Sequence, residues 1–227
     1  MLRRFATIDV DLFASRLSDS WDARADAFGH GVDLLAPAAR AAGVAEVVVS
    51  DERDAARVHE AGFALAAVRV DRSGAGADAS AYGLSGTDAP VLALVGEVIA
   101  VKPVPGAVGV SYGYTYRTPR ATRLALVGLG YADGVPRLAS NRAQVAVRGM
   151  RVPLVGRIAM DQLVLDVGDA EVEPGDDAVL FGDPARGEPS ALDWAAWTER
   201  DALALTAGIA PRVARVARSA WIAGRGA

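Results

Sequence analysis

The sequence predicts an α+β chain, in which a short parallel βα segment leads into a small antiparallel β-barrel or sandwich. Three observations carry this reading. Residues 1–71 alternate strand-like and helix-like apolar patterns, as parallel βα units do. Residues 72–89 are small, polar and glycine-rich, the composition of a flexible linker. From residue 90 onward, short Val- and Leu-rich runs occur at 91–101, 122–129, 143–148, 152–158, 162–167 and 177–181. Turn pairs such as Pro105-Gly106, Asp133-Gly134 and Pro174-Gly175 separate them, a spacing that fits an antiparallel barrel or sandwich. The expected domains are therefore 1–71, a linker at 72–89, and 90–227.

Taken in order, Ile8-Asp9-Val10 reads as a short strand and Asp11 as the N-cap of a helix carrying Leu12, Phe13, Leu17 and Trp21. A helix over Val32 to Ala42 ends at Gly43, and Glu46 to Val49 follows as a strand. Ser50 or Asp51 caps a helix running to Ala61, closed by Gly62, and Leu65 to Val70 reads as another strand. In the second half, Ser190 caps a helix to Thr206 with Asp193 in its first turn. Arg212 to Ala217 forms a strand-like tail.

Composition excludes several function classes. The 227 residues are 52% hydrophobic but only 6% aromatic, so Ala, Val and Leu fill the core. The net charge is −4 with both signs interspersed, which gives no basic face for nucleic acid. The absence of cysteine removes disulfides, thiolate nucleophiles and zinc–cysteine sites. Two histidines, His30 and His59, are too few for a histidine-rich metal site, so no metal is expected. The start Met1-Leu2-Arg3-Arg4 is followed by Asp9 and Asp11, a poor signal peptide. The longest apolar stretch, Pro90 to Val101, contains Gly96 and Glu97 and is too short to span a bilayer. A cytoplasmic protein without membrane partners is the expectation.

Individual motifs have bland readings. Gly128 to Gly134 is glycine-rich and follows a strand, but Pro136 follows and no helix opens, so a turn is favoured over a dinucleotide loop. Asp176-Asp177 after Pro174-Gly175 reads as a solvated hairpin turn, and His59 beside Glu60 as a surface residue. Tyr112, Tyr114 and Tyr116 alternate, and on a strand would share one packing face.

Taken together, three blocks change the reading: Val110-Ser111-Tyr112-Gly113, Gly130 to Arg137, and Val155 to Gln162. In order, interval and residue type they resemble the alanine racemases. The resemblance extends through Leu180-Phe181-Gly182 and Pro211-Arg212-Val213, and so covers residues 91 to 217. Arg24 to Gly31 resembles the family's cofactor-lysine segment and Ile8-Asp9-Val10-Asp11 its opening strand. The resemblance implies that family's C-terminal β-domain, a small antiparallel β-barrel, behind a truncated barrel segment. Family chemistry removes and returns an α-proton on opposite faces of a substrate held by pyridoxal phosphate. A lysine forms the Schiff base and serves one face, and a tyrosine serves the other. By resemblance that tyrosine is Tyr112, Tyr131, Arg137 and Arg157 wall the substrate channel, and Met160 meets the substrate carboxylate through its backbone.

The departures from the pattern determine the functional expectation. Arg24 stands in the lysine position, and a guanidinium supplies no free amine at neutral pH. Phe28 replaces a phosphate-binding tyrosine, and Asp201-Ala202-Leu203-Ala204 offers no hydroxyl where the family has another. A complete (β/α)8 barrel takes about 250 residues, far more than precede the β-domain. The expectation is a non-catalytic, racemase-like protein with a binding or regulatory role, without pyridoxal phosphate, and a homodimer. The alternative is a contributor to a composite site completed by another chain, through association with a full-length racemase.

Overall fold

The computed structural model describes residues 3–73, 76–84 and 88–223, without the side chains of 221–223. The chain divides into two compact units, Ala6–Leu92 with Arg215–Ala227, and Met1–Phe5 with Ala93–Ala214. Strand β1 (Arg4–Ile8) crosses that division near the start of the chain.

The first unit is a three-stranded parallel βα layer. After β1 come α1 (Val10–Ala14), β2 (Ser20–Asp22), a short helical turn α2 (Arg24–Phe28), α3 (Val32–Ala41), β3 (Glu46–Val49), α4 (Glu52–Glu60) and β4 (Val68–Val70). Strands β2, β3 and β4 pair in parallel, with Trp21 opposite Val47 and Val47 opposite Val68. The caps explain the boundaries. Asp9, not Asp11, accepts from the Leu12 N–H and starts α1, and Asp51 accepts from the Asp54 N–H and starts α4. Gly43 and Gly62 sit at φ +84° and +95° just past α3 and α4, a conformation glycine takes at no steric cost.

Two expectations here need correction. Helix α1 stops at Ala14, because Trp21 belongs to β2 and is buried in the core. The strand read from Leu65 begins only at Val68, after a 3-10 turn at Leu65–Ala67. Part of the stretch read as linker is also packed. Residues 74–75 and 85–87 lie outside the described residues, but Ser80–Tyr82 forms a turn whose Tyr82 is fully buried. The Trp21 Nε1–H donates to Tyr82 Oη at 2.8 Å, and Tyr82 Oη donates to the Asp22 carbonyl at 2.5 Å. Phe13, Phe28 and His30 surround the same ring. A buried phenol with both hydrogen-bonding roles met is a core residue, which composition alone does not reveal.

The second unit is a β-barrel. Its strands are β5 (Leu92–Val104), the short pair β6 (Gly109–Val110) and β7 (Tyr116–Arg117), β8 (Thr122–Val127), β9 (Gln144–Val147), β10 (Met150–Pro153), β11 (Leu163–Asp166) and β12 (Asp177–Phe181). Antiparallel pairing runs β10–β9–β12–β5–β8–β11. The ring closes through a bridge between Leu154 and Leu165 and a bond from the Val155 N–H to the Val164 carbonyl. Closure selects the barrel over the sandwich. It is made possible by β5, whose residues 94–97 pair with β12 and 98–104 with β8. Gly96 sits at this bend, where a Cβ would lie 2.7 Å from the Leu129 side chain, the close approach that favours glycine in a bent strand. Inward-facing Ala125, Val127, Leu163 and Leu165 are buried to 1% exposure or less.

The helix read as continuous from Ser190 to Thr206 is two helices, α5 (Ala191–Thr198) and α6 (Ala202–Ala207). Glu199 ends α5 at φ +54°, and Asp201 re-caps α6 through the Leu203 and Ala204 N–H groups. The tail strand β13 (Ala214–Ala217) and helix α7 (Arg218–Ala223) follow. No described helix is long and apolar enough to cross a membrane.

Candidate functional site

The segment Arg24 to Gly31 is held in an unusual backbone. Ala25, Asp26, Ala27 and Phe28 have φ between +48° and +57°, so α2 is a left-handed turn. Each such non-glycine residue costs roughly 1–2 kcal/mol, so neighbouring groups must hold it. The Ala25 N–H donates to Ser50 Oγ and the Asp26 N–H to Asp54 Oδ2, while Asp26 Oδ1 accepts from the Val32 N–H and pairs with Arg57 at 2.7 Å. The Arg215 Nε–H donates to the Gly29 carbonyl. Sequence patterning predicts none of this, because apart from Val32 these partners come from elsewhere in the chain.

Arg24 begins this turn, and its side chain is buried. Its Nε and Nη2 donate to the two oxygens of Asp22, at 2.9 and 2.6 Å, and Asp71 lies 3.7 Å from Nη1. The hydrogen bond that Arg24 donates to Asp22 raises the Arg24 pKa above its ordinary value, against the opposing effect of burial. Two carboxylates thus compensate the one guanidinium inside the fold. Asp71 is held low, at about 2, first by the Ser73 hydroxyl and backbone N–H. Arg24, Phe28, Ser50, Asp71 and Arg72 line a cavity of about 230 Å³. Arg72 is itself paired with Glu52 at 2.7 Å. Phe28 meets Tyr82 in a T-shaped ring pair and presents no polar atom.

The β-barrel carries the remaining predicted residues. Tyr112 begins a 3-10 turn, Tyr112–Tyr114, and only Tyr116 lies on a strand, so the three rings do not form the stripe expected. Their roles separate accordingly. Tyr112 and Tyr114 are exposed, at 71% and 62%, while the Tyr116 hydroxyl donates to Asp166 at 2.9 Å. Burial and Asp166 push the Tyr116 pKa up to about 12. Tyr131 and Met160 are exposed, and the Arg137 guanidinium lies 5.6 Å from the Tyr131 ring centroid. Tyr112 and Arg157 share a cavity of about 380 Å³.

The Gly130–Gly134 motif is a turn, as read, and its glycines have steric reasons. The Tyr131 N–H donates to the Ala159 carbonyl and the Ala132 N–H to that of Met160. A Cβ on Gly130 would lie 2.3 Å from the Met160 oxygen, and one on Gly134 2.1 Å from the Gly208 oxygen. Asp133, fully buried, accepts from the Gly130 N–H at 2.8 Å, Arg4 at 2.9 Å and Arg212 at 2.7 Å. Arg212 continues to Asp161 at 2.6 Å. This network joins two of the resemblance blocks, so Tyr131 and Met160 sit on one braced surface. Asp176 lies in a turn as read, but Asp177 opens β12 with its side chain largely buried, 3.6 Å from Arg3.

Two residues that patterning passed over stand out. His30 is fully buried, and Lys102, on β5, is the only lysine in the sequence. Among the described residues no cluster of three or more His, Asp or Glu could hold a metal.

Fold and surface together define a β-barrel domain that carries a braced face of tyrosine and arginine side chains. The alanine racemase C-terminal domain profile matches residues 91–217, and the chain belongs to that family. Over 127 residues it is 51% identical to the alanine racemase of Streptomyces coelicolor, a match to 56% of this chain and 32% of that protein. Against the alanine racemase of Thermobifida fusca it is 48% identical over 142 residues, 60% of this chain and 38% of the relative. The chain thus spans about a third of the length of the curated relatives it matches. Among solved structures, the alanine racemase of D-cycloserine-producing Streptomyces lavendulae superposes with a TM-score of 0.82 at 25% identity. That match covers 96% of this chain and 97% of the other. The Streptomyces coelicolor enzyme gives 0.81 at 26% identity, over 95% and 98%.

Proposed function

We propose that this chain is a non-catalytic alanine-racemase-like protein, cytoplasmic and homodimeric, with a binding or regulatory role and without pyridoxal phosphate. The observation that carries the reading is the buried ion pair of Arg24 with Asp22. The resemblance puts the cofactor lysine at this position, and the residues present do not fit the cofactor. A guanidinium has no amine to condense with an aldehyde. Its charge already meets two carboxylates, so a phosphate finds no free cation there. Phe28 and Ala202 bring no hydroxyl, and the sole lysine, Lys102, lies on β5 of the barrel. Among the described residues the parallel layer has three strands, which leaves the edges of β2 and β4 to be covered. This supports association of two copies, each of 23.5 kDa.

The test is to add pyridoxal phosphate to the purified full chain, reduce with borohydride and map any pyridoxyl label by mass spectrometry. The expected result is no stoichiometric label and no alanine racemisation. Racemase turnover, or a stoichiometric label with retained cofactor absorbance, overturns the reading. Light scattering is expected to give twice the chain mass, and a concentration-independent 23.5 kDa species refutes the homodimer.

The exposure of Tyr112 favours a second reading, a contributor to a composite site on a full-length racemase. A proton-transfer tyrosine that reaches into another chain stands clear of its own fold, as Tyr112 does.

A further inference from the structure

Between Val104 and Thr122 the chain leaves the barrel wall and folds back over the outer face of β5 and β8, carrying the β6–β7 pair with it. Thr118, fully buried, anchors this flap. Its Oγ1 donates to the Pro105 carbonyl at 2.8 Å and accepts from the Val108 N–H at 3.0 Å, and its backbone pairs with Ala107 and Val108. Under the flap, Val104, Val110 and Leu124 join a buried cluster against which Val108 and Val164 pack. Beside that cluster lies a cavity of about 330 Å³, walled by these residues and Leu126. Neither Tyr112 nor Arg157 lines it.

Strand alternation and register order the cavity floor. Ala100, Lys102 and Val104 share one face of β5, and all three line the cavity. Ala100 lies opposite Leu126, and Leu126 opposite Val164, while Lys102 lies opposite Leu124. One row across the sheet is thus wholly aliphatic, and the adjacent row carries a cation. The cavity has two polar side chains on its wall, Ser111 and Lys102. Ser111 is committed, since its Oγ donates to the Arg157 carbonyl at 2.6 Å. Lys102 is exposed and has no ion-pair or hydrogen-bond partner among the described residues. The only lysine of the sequence is therefore the one uncommitted polar group of an otherwise aliphatic cavity.

We propose that this cavity binds a free aliphatic monocarboxylate of roughly six to eight carbons, since a dry cavity of about 150 Å³ already takes up a benzene ring. The carboxylate meets Lys102, and the tail lies along Leu124, Leu126 and Val164. One ammonium balances one negative charge, and a ligand with further polar groups would bury them without partners. The inference does not rest on the loss of cofactor chemistry, because binding is read without pyridoxal phosphate or turnover.

The test is calorimetric titration of the full chain with sodium butyrate, hexanoate and octanoate. Octylammonium chloride, with the same tail as octanoate and the opposite charge, is the control. Each added methylene is expected to tighten carboxylate binding about threefold, and octylammonium is expected not to bind. Lys102→Gln is expected to weaken octanoate binding about fivefold. Ala100→Phe fills the half-exposed space beside Leu126 and is expected to abolish it. Lys102→Gln changes only an exposed side chain, so the test survives even if Ala100→Phe fails to fold. No saturable octanoate binding up to about 1 mM, equal affinity along the series, equal binding of octylammonium, or full octanoate binding by Lys102→Gln overturns the proposal. So does a dimer that Ala100→Phe dissociates, which assigns the cavity to a second copy of this chain.

Discussion

Acidification is expected to weaken the parallel βα unit through one residue, His30. Its ring is fully buried and packs against Tyr82, tilted by 42° with 4.5 Å between centroids. Nδ1 lies 2.9 Å from the Ala27 carbonyl and 3.2 Å from that of Phe28, so Nδ1 carries the proton. Nε2 is buried with no hydrogen-bond partner among the described residues. Burial lowers the His30 pKa from 6.5 to about 4. The nearby Arg215 adds to the effect, while the two carbonyls and Asp26 oppose it. Because the folded value lies below the unfolded one, the unfolded chain takes up the proton first as pH falls. Stability contributed by the neutral ring is therefore complete above pH 6.5 and is lost between 6.5 and about 4. At about 1.36 kcal/mol per pH unit, the loss on reaching pH 4 is roughly 3 kcal/mol. The assay is urea denaturation of the full chain and of His30→Asn at pH 7.5, 5.5 and 4. Asparagine keeps a donor near the Nδ1 position and does not titrate. Carboxylates titrate in both proteins and cancel in the difference. The variant is expected to be less stable at pH 7.5, with the gap closing by about 3 kcal/mol at pH 4. A gap that stays constant across this range refutes the reasoning.

Four further outcomes are expected. Tyr82→Phe removes the acceptor of the Trp21 indole N–H and leaves that buried donor unpaired, so denaturation should show a loss of about 2 kcal/mol. Gly130→Ala places a methyl group against the Met160 carbonyl and should destabilise the barrel by at least about 2 kcal/mol, read as a lower unfolding midpoint. Arg24→Lys is expected to leave the chain without racemase activity, because Asp22 remains to hold the ammonium and Phe28 still offers no hydroxyl; recovered turnover in a racemisation assay would contradict this. A full-length racemase stripped of its catalytic tyrosine should stay inactive when mixed with this chain, whereas rescue that Tyr112→Phe removes would establish the composite site.

The sequence alone determined much of the order of elements, because their signals are local. Alternating Val and Leu runs, the glycines at 43 and 62, and the caps at Asp51 and Ser190 all act within a turn or two of chain. The strands at 46–49, 122–127 and 177–181 were legible for that reason, and three ordered motif blocks carried the family. What local signals do not encode is which distant groups meet. Tyr82 sits in a stretch with the composition of a linker, yet Trp21 and Asp22, some 60 residues away, bury it. Tyr112, Tyr114 and Tyr116 alternate like a strand, but the chain turns at Tyr112–Tyr114, so only Tyr116 reaches Asp166. Arg24 was visible as a missing lysine. That its charge is cancelled internally depends on Asp22 and Asp71 converging from the ends of β2 and β4, and on a left-handed turn held by Ser50, Asp54 and Arg57. Barrel closure is likewise tertiary, since it rests on one bend at Gly96 and one bridge between Leu154 and Leu165. Burial, charge compensation and ring closure are properties of atoms brought together from far along the chain, and only the folded structure brings them together.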